Sequence, residues 1–189
     1  MAIHWIWMAL YWAWILTEVL VLVVTRTRRG GGDVQDRGSL AVLWVVIFAA
    51  MFGGSWAGAA YLPAKFHPGH WFAPVCLGLL AAGLAIRWTA IYSLGKAFSA
   101  NVAIHATQKL NVSGLFRVMR HPSYTGMMLI FLAMGLGTRS WLGLGIMVVL
   151  PAAALLYRIH VEEAALTGAF GVEYVAYSAR TKRLIPGIY

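Results

Sequence analysis

Apolar residues run almost without interruption through positions 3–24, 40–62 and 71–94, and in shorter stretches through 124–137 and 141–157. A helix rising about 1.5 Å per residue needs roughly 20 such residues to cross the hydrocarbon of a bilayer. The first three runs meet that length. The last two are shorter, and only Thr138, Arg139 and Ser140 lie between them, which predicts a tight helical hairpin. Lipid cannot satisfy exposed backbone, so the pattern predicts an all-α, polytopic membrane helical bundle of about five transmembrane helices.

Composition strengthens this reading. Hydrophobic residues make up 61% of the chain and charged residues 11%, against roughly 25% charged in soluble domains. There is too little charge to cover a water-facing surface. The first run is too long for the core of a signal peptide and no small-residue cleavage site follows it, so it reads as a retained span. The single cysteine, Cys76, falls inside a run, which argues against a disulfide framework or a thiolate metal cluster. With 189 residues, several spans leave room for one domain, 1–189.

The formal net charge is +9. Its distribution argues against nucleic acid as a partner, because the basic residues flank apolar runs instead of forming a stripe with interleaved aromatics. Membrane lipids and the excess of lysine and arginine in cytoplasmic loops account for them better. Arg26, Arg28, Arg29 and Arg37 lie in the first loop, Lys96, Lys109, Arg117 and Arg120 in the third connection, and Arg158, Arg180, Lys182 and Arg183 after the last run. The other side holds Lys65 and Arg139. The basic side is therefore expected to be cytoplasmic, with the N-terminus outside and the C-terminus inside. Trp5, Trp7, Trp71 and Trp141 then fall near the outer interface, where indole rings prefer to sit.

Glu18 and Arg87 interrupt this pattern, each inside an apolar run toward its cytoplasmic end. An ionisable group in a span is a functional candidate by default. The plainer reading is that Arg87 snorkels to the headgroups and Glu18 pairs with a neighbouring helix.

Polar sequence is concentrated in residues 95–123 and 158–189, both on the basic side. Two such segments beside minimal outer loops suggest the walls of a site. In Arg120-His121-Pro122-Ser123-Tyr124, the proline suits the first position of a helix, because its missing N–H would be unpaired there anyway. The fourth span is thus expected to begin at Pro122 with His121 at the cap. Its positive end would face the cytoplasm and suit a carboxylate or a ribose oxygen. Arg158 and Glu162 are four residues apart and share a face if the last span continues as a helix; the alternative is an ordinary interfacial salt bridge. Leu166, Phe170, Tyr174 and Tyr177 form an apolar stripe fitting a helix against the membrane or across the site, with Gly171 expected to split it. His67 and His70 are spaced to share a cation, but no third ligand is near and Pro68-Gly69 favours a turn, so no metal is expected there. His4 and His160 read as interfacial, and His105 is assigned no role.

The stretch 114–126, which contains Arg120-His121-Pro122-Ser123-Tyr124, resembles the nucleotide-side motif of the isoprenylcysteine carboxyl methyltransferase family. Arg158-Ile159-His160-Val161-Glu162-Glu163, then Phe170-Gly171-Val172-Glu173-Tyr174, then residues 180–186, resemble that family's C-terminal signature. The related phospholipid N-methyltransferases share the layout. The resemblance covers roughly residues 94–186, two motifs in order around a helical hairpin. It implies a single domain in which 1–94 supplies three spans and 95–189 the catalytic and cofactor-binding part.

Carried over, the resemblance implies that S-adenosylmethionine is held by Gln108, Lys109, Leu110 and Asn111, by Phe116, by His121, Pro122, Ser123 and Tyr124, and by Glu162, with Arg158 as the substrate-facing cation. The chain departs from the usual pattern at Gln108, commonly histidine, at Asn111, often valine, and at Phe116, commonly tyrosine. Glutamine still donates and accepts, and phenylalanine keeps a stacking face without the hydroxyl.

The implied reaction is methyl transfer to a lipophilic or prenylated substrate at the cytoplasmic face. Such a displacement needs alignment and exclusion of water above all. A carboxylate acceptor arrives ionised and needs a cation, which Arg158 offers as a bidentate fork. A protonated amine, as in a phospholipid, would need a base, for which Glu163 is the nearest candidate. A thiol would need help toward thiolate. Arg158 beside Glu162 favours the carboxylate. The expected site is a cofactor pocket open to the cytoplasm and roofed by the C-terminal segment, with a lipid-facing groove bordered by the fourth and fifth helices. The rival readings are an NADPH-dependent membrane sterol-type reductase of similar layout and a small non-enzymatic transporter or scaffold. The latter would predict polar mid-span residues and inverted repeats.

Overall fold

The computed structural model describes residues 2–25, 33, 34, 36, 38–100, 102–104 and 109–189. Gln108, His105 and the first-loop arginines Arg26, Arg28, Arg29 and Arg37 lie outside the described residues. Each predicted apolar run is a helix. They are α1 (Ala2–Thr25), α2 (Ser39–Ala60), α3 (Phe72–Leu94), α4 (Pro122–Gly137) and α5 (Trp141–Phe170), followed by a short α6 (Val172–Arg180). α1, α2, α3 and α5 are long and apolar enough to cross a membrane, and α4 is a shorter apolar helix. The protein is a multi-pass helical membrane protein.

One addition to the all-α expectation appears. Asp33–Val34 pairs antiparallel with Ala103–Ile104, joining the connection after α1 to the connection after α3.

The helix boundaries follow from local chemistry. Gly95, at φ 50°, ends α3. Gly171, at φ 52°, separates α5 from α6, because the left-handed region costs glycine little. Pro122 opens α4 at its first position with His121 at the cap, as expected. Ser140 caps α5 by accepting from the Gly143 N–H, and Arg139 takes φ 52° to close the hairpin. α5 runs for 30 residues, so it carries Arg158, Glu162 and Glu163 beyond the apolar run that ends at Tyr157.

Close packing holds α3 on α4 and α2 on α5. A Cβ added to Gly83 would lie 2.7 Å from the Gly126 carbonyl oxygen, and one on Gly126 would lie 2.6 Å from that of Gly83. A Cβ on Gly143 would lie 2.9 Å from the Gly54 oxygen. In lipid, where hydrophobicity gives helices no reason to associate, backbone approach at small residues supplies the contact. Around these crossings Leu80, Ile130, Phe131 and Leu155 are buried, and Trp14 of α1 meets Phe131 edge-on at 5.8 Å.

The two ends of the bundle differ in charge. At one end the Phe66 N–H donates to the Arg139 carbonyl (3.0 Å), Lys65 pairs with Ser140 in a short backbone bridge, and the Phe66 ring packs at a tilt against Trp141, 4.8 Å between centroids. The other end gathers Arg120, Arg158 and Arg183 around Glu163, Asp36 and Glu162. At 16 residues, α4 is about 24 Å long against a hydrocarbon thickness of about 30 Å.

Candidate functional site

Two stretches far apart in sequence meet at the start of α4. The Arg120 N–H donates to the Lys182 carbonyl (2.7 Å) and the His121 N–H to that of Arg183 (3.0 Å). The Thr125 hydroxyl donates to the Leu184 carbonyl at 2.7 Å. Arg120 Nη1 reaches the carbonyls of Ser178 (2.7 Å) and Thr181 (2.5 Å). The segment after α6 thus closes over the loop that leads into α4.

Glu163 is the centre of this closure. Its carboxylate accepts from Arg120 Nε at 2.9 Å and from Arg183 Nε and Nη2 at 3.0 and 2.8 Å. His121 Nε2 lies 3.3 Å away. The hydrogen bonds to Glu163, and then to Tyr189, hold Arg183 in its charged form well above the usual guanidinium range. Tyr177, pushed up to about 12 by burial, stays a neutral donor at physiological pH and reaches the Phe116 carbonyl at 2.7 Å. Burial likewise raises Tyr174. Tyr174 and Tyr177 are buried while Phe170 is half-buried. Gly171 divides the apolar stripe between two helices, as expected.

One turn earlier on α5, Arg158 and Glu162 share a face, but a third residue joins them. The Tyr124 hydroxyl donates to Glu162 Oε2 (2.8 Å) and accepts from Arg158 Nε (3.0 Å). His121 Nδ1 stands 3.6 Å from the same Glu162 oxygen, and its ring stacks on Tyr124. Arg158 is buried. Its Nη1 donates to Asp36 (3.0 Å) and Ser39 (2.9 Å), and its Nη2 to the Ala100 carbonyl. Asp36 in turn caps α2 by accepting from the Ser39 hydroxyl and the Leu40 N–H.

A cavity opens between α1, α2, α3, α4 and α5 at this end. Its polar wall is Arg120, His121, Ser123, Tyr124, Arg158 and Glu162. Its apolar wall is Trp14, Val21, Leu43, Trp44 and Ile47 from α1 and α2, with Met127 from α4. Glu18 and Arg87 stand at the junction of the two walls.

Of the predicted residues, Phe116, His121, Pro122, Ser123, Tyr124, Arg158 and Glu162 line this one cavity. Lys109, Leu110 and Asn111 are not among its lining residues. Asn111 instead donates to the Ser93 carbonyl (3.0 Å) and accepts from the Ser113 N–H and hydroxyl, locking the turn after α3. Gln108 falls outside the described residues.

Several expectations are corrected. Glu163, expected as a base, is not among the cavity-lining residues, and its oxygens accept from Arg120 and Arg183. Arg158 is not a free fork, because Asp36, Ser39, Ala100 and Tyr124 already occupy it. Arg87 does not snorkel. It is buried and donates through Nε and Nη2 to both oxygens of Glu18, the latter at 2.6 Å, and through Nη1 to Ser123 at 2.7 Å. A buried guanidinium with a carboxylate on the next helix has a nearer counter-charge than the headgroups. Glu18 does pair with a neighbouring helix. The cavity is bordered by α4 and α5, as expected, and equally by α1 and α2, a contribution that uniform apolarity gave no means of assigning. Only the ionisable Glu18 and the cap-type Asp36-x-x-Ser39 spacing carried a usable signal.

The sequence model of the isoprenylcysteine carboxyl methyltransferase (ICMT) family matches residues 76–168, from within α3 to the last turn of α5. Over these residues, just under half of the chain, the chain is similar to that family. The match contains the α4 motif and the Arg158–Glu163 motif but stops before residues 180–186, so the likeness does not depend on the closing segment. Similar proteins include protein-S-isoprenylcysteine O-methyltransferase B of Arabidopsis thaliana, 31% identical over 137 residues, covering 64% of each chain. The protein-S-isoprenylcysteine O-methyltransferase of Schizosaccharomyces pombe is 34% identical over 116 residues, which are 58% of this chain and 48% of that one. The chain thus spans less than two thirds of the length of these relatives. The solved structure of the eukaryotic intramembrane Ras methyltransferase shares the fold, with a TM-score of 0.65 at 23% identity over 77% of this chain and 52% of that one.

Proposed function

We propose that this chain is an S-adenosylmethionine-dependent methyltransferase that O-methylates the carboxylate of an isoprenylcysteine-like, lipophilic substrate at the cytoplasmic membrane face. The observation that carries the reading is the single cavity with one polar wall, built by the α4 motif and α5, and one apolar wall from α1 and α2. The names of the relatives, each a protein-S-isoprenylcysteine O-methyltransferase, support the same chemistry. Membrane lipids surround the bundle, the basic end faces the cytoplasm, and no nucleic-acid partner is proposed.

The residues present fit the methyl donor. Glu162 offers carboxylate oxygens to an ammonium or ribose hydroxyls, Phe116 offers an aromatic face, and the first turn of α4 offers a positive end. The donor, when bound, supplies an electrophilic methyl on a sulfonium. Tyr124 links Arg158 and Glu162 through its one hydroxyl, which orients both. The Glu163 closure covers the polar wall and excludes water. The apolar wall accepts the lipid chain of the substrate, so that its carboxylate is delivered to the polar wall that Arg158 and Tyr124 hold in place.

S-adenosylhomocysteine is expected to raise the melting temperature of the protein in detergent, and NADPH is not. A stabilisation by NADPH alone would put the reductase reading in its place. With a radiolabelled methyl donor and membrane extracts, the label is expected in a base-labile ester. A second reading is favoured by one observation, the occupation of Arg158 by Asp36. With its charge already balanced, Arg158 would orient an uncharged nucleophile, a thiol or an amine. A base-stable label identifies that case.

A further inference from the structure

We propose that Glu18 and Arg87 are a positioning pair that makes the Ser123 hydroxyl a hydrogen-bond donor into the cavity, aimed at a carboxylate of the bound ligand. The inference rests on the methyltransferase reading, in which the methyl donor and the proposed acceptor each carry such a carboxylate.

A serine hydroxyl has one proton and two lone pairs, whereas a guanidinium only donates. Arg87 Nη1 donates to Ser123 Oγ at 2.7 Å, so the serine oxygen is an acceptor in that contact and its own proton points elsewhere. Among the described residues Arg87 is the hydroxyl's hydrogen-bond partner. The side chain belongs to a buried residue, 7% exposed, that lines the cavity. Thr125, two residues on, shows the other use of such a group, donating to the Leu184 carbonyl at 2.7 Å. Ser123 is the second residue of α4, where the helix's positive end also favours an anion.

Glu18 explains why Arg87 is not itself the anion receptor. Its two oxygens take Nε and Nη2, balancing the charge and turning Nη1 toward Ser123. In hydrocarbon the pair is costly to separate. Because Glu18 belongs to α1 and Arg87 to α3, the pair sets the apolar wall and the donor's direction together.

The test uses the purified full chain in detergent, with S-adenosylhomocysteine for the donor side and an S-prenylated cysteine bearing a free carboxylate for the acceptor side. Ser123→Ala is expected to weaken one carboxylate ligand by roughly tenfold to a hundredfold with little change in melting temperature, the effect of losing one hydrogen bond to a charge. A raised Kd for S-adenosylhomocysteine assigns the hydroxyl to the donor's carboxylate. An unchanged Kd with a raised acceptor KM assigns it to the acceptor's. Arg87→Gln is expected to impair the same constant, and adding it to Ser123→Ala is expected to cause no further loss in that constant. Ser123→Ala with both constants unchanged overturns the proposal, even if Arg87→Gln does not fold. Losses that multiply in the double variant also overturn it, since Arg87 would then act independently of Ser123. Failure of the wild-type chain to bind S-adenosylhomocysteine overturns the methyltransferase reading itself.

Discussion

The rim of the cavity and its membrane-embedded wall use charge in different ways. At the rim, Glu163 collects Arg120, Arg183 and His121 from two segments that water can reach at their edges, with Arg183 half-buried. In the wall, Glu18 and Arg87 form one bidentate pair, both buried, with Ser123 as the further contact. Water at the rim screens charge and repairs imperfect pairing, so several cations can share one carboxylate. In the wall each charge needs a dedicated partner or is not tolerated. On the function proposed above, the rim would cover a water-soluble methyl donor, and the wall would keep a fixed shape for a lipophilic acceptor.

Variants that touch one region should spare the ligand of the other. The largest effect is expected from Glu162→Ala, which removes the shared partner of Tyr124 and His121. Titration calorimetry should find affinity for S-adenosylhomocysteine lower by about a hundredfold or more, as for truncating one partner of a buried charged hydrogen bond. Retained affinity takes Glu162 out of the donor site. Arg158→Lys comes next. A lysine cannot reach Tyr124, Asp36, Ser39 and Ala100 together, so turnover is expected to fall roughly ten- to a hundredfold, with donor affinity nearly unchanged. Equal losses in both would mean that the residue supports the donor pocket.

Glu163→Gln sharpens the contrast at the rim. It keeps the shape but weakens the ties to Arg120 and Arg183, and the melting temperature is expected to drop by roughly 4–8 °C. A change in catalytic pH dependence without that drop would return Glu163 to the role of base. The smallest effect is expected in the wall. Trp44→Ala should raise the KM for a long-chain acceptor by a few-fold through lost apolar contact, leaving S-adenosylhomocysteine binding unchanged. A weakened donor would break the division between rim and wall.

Much of the architecture was legible along the chain because lipid demands long apolar runs and internally satisfied backbone. The start of α4 at Pro122, the turn at residues 138–140 and the break at Gly171 were readable for local reasons of backbone geometry. The polar wall was readable as well, since His121, Ser123, Tyr124, Arg158 and Glu162 lie in two short motifs. Which face each glutamate presents was not. Glu162 and Glu163 are adjacent, and about 100° of helical rotation sends the first to Tyr124 in the cavity and the second to Arg183 in the closure. Asn111, expected at the donor, was drawn by its own turn to the end of α3.

The sequence by itself determined the spans, their sidedness in charge and the residue types available for methyl transfer, because these depend on local composition and on helix boundary chemistry. Tertiary structure alone decided the partners: Glu18 with Arg87, Asp36 with Arg158, and the closing segment with the start of α4. Such pairings join residues 69, 122 and about 60 positions apart. They are chosen by which helices pack at Gly83–Gly126 and Gly54–Gly143, and uniformly apolar helices do not announce their neighbours.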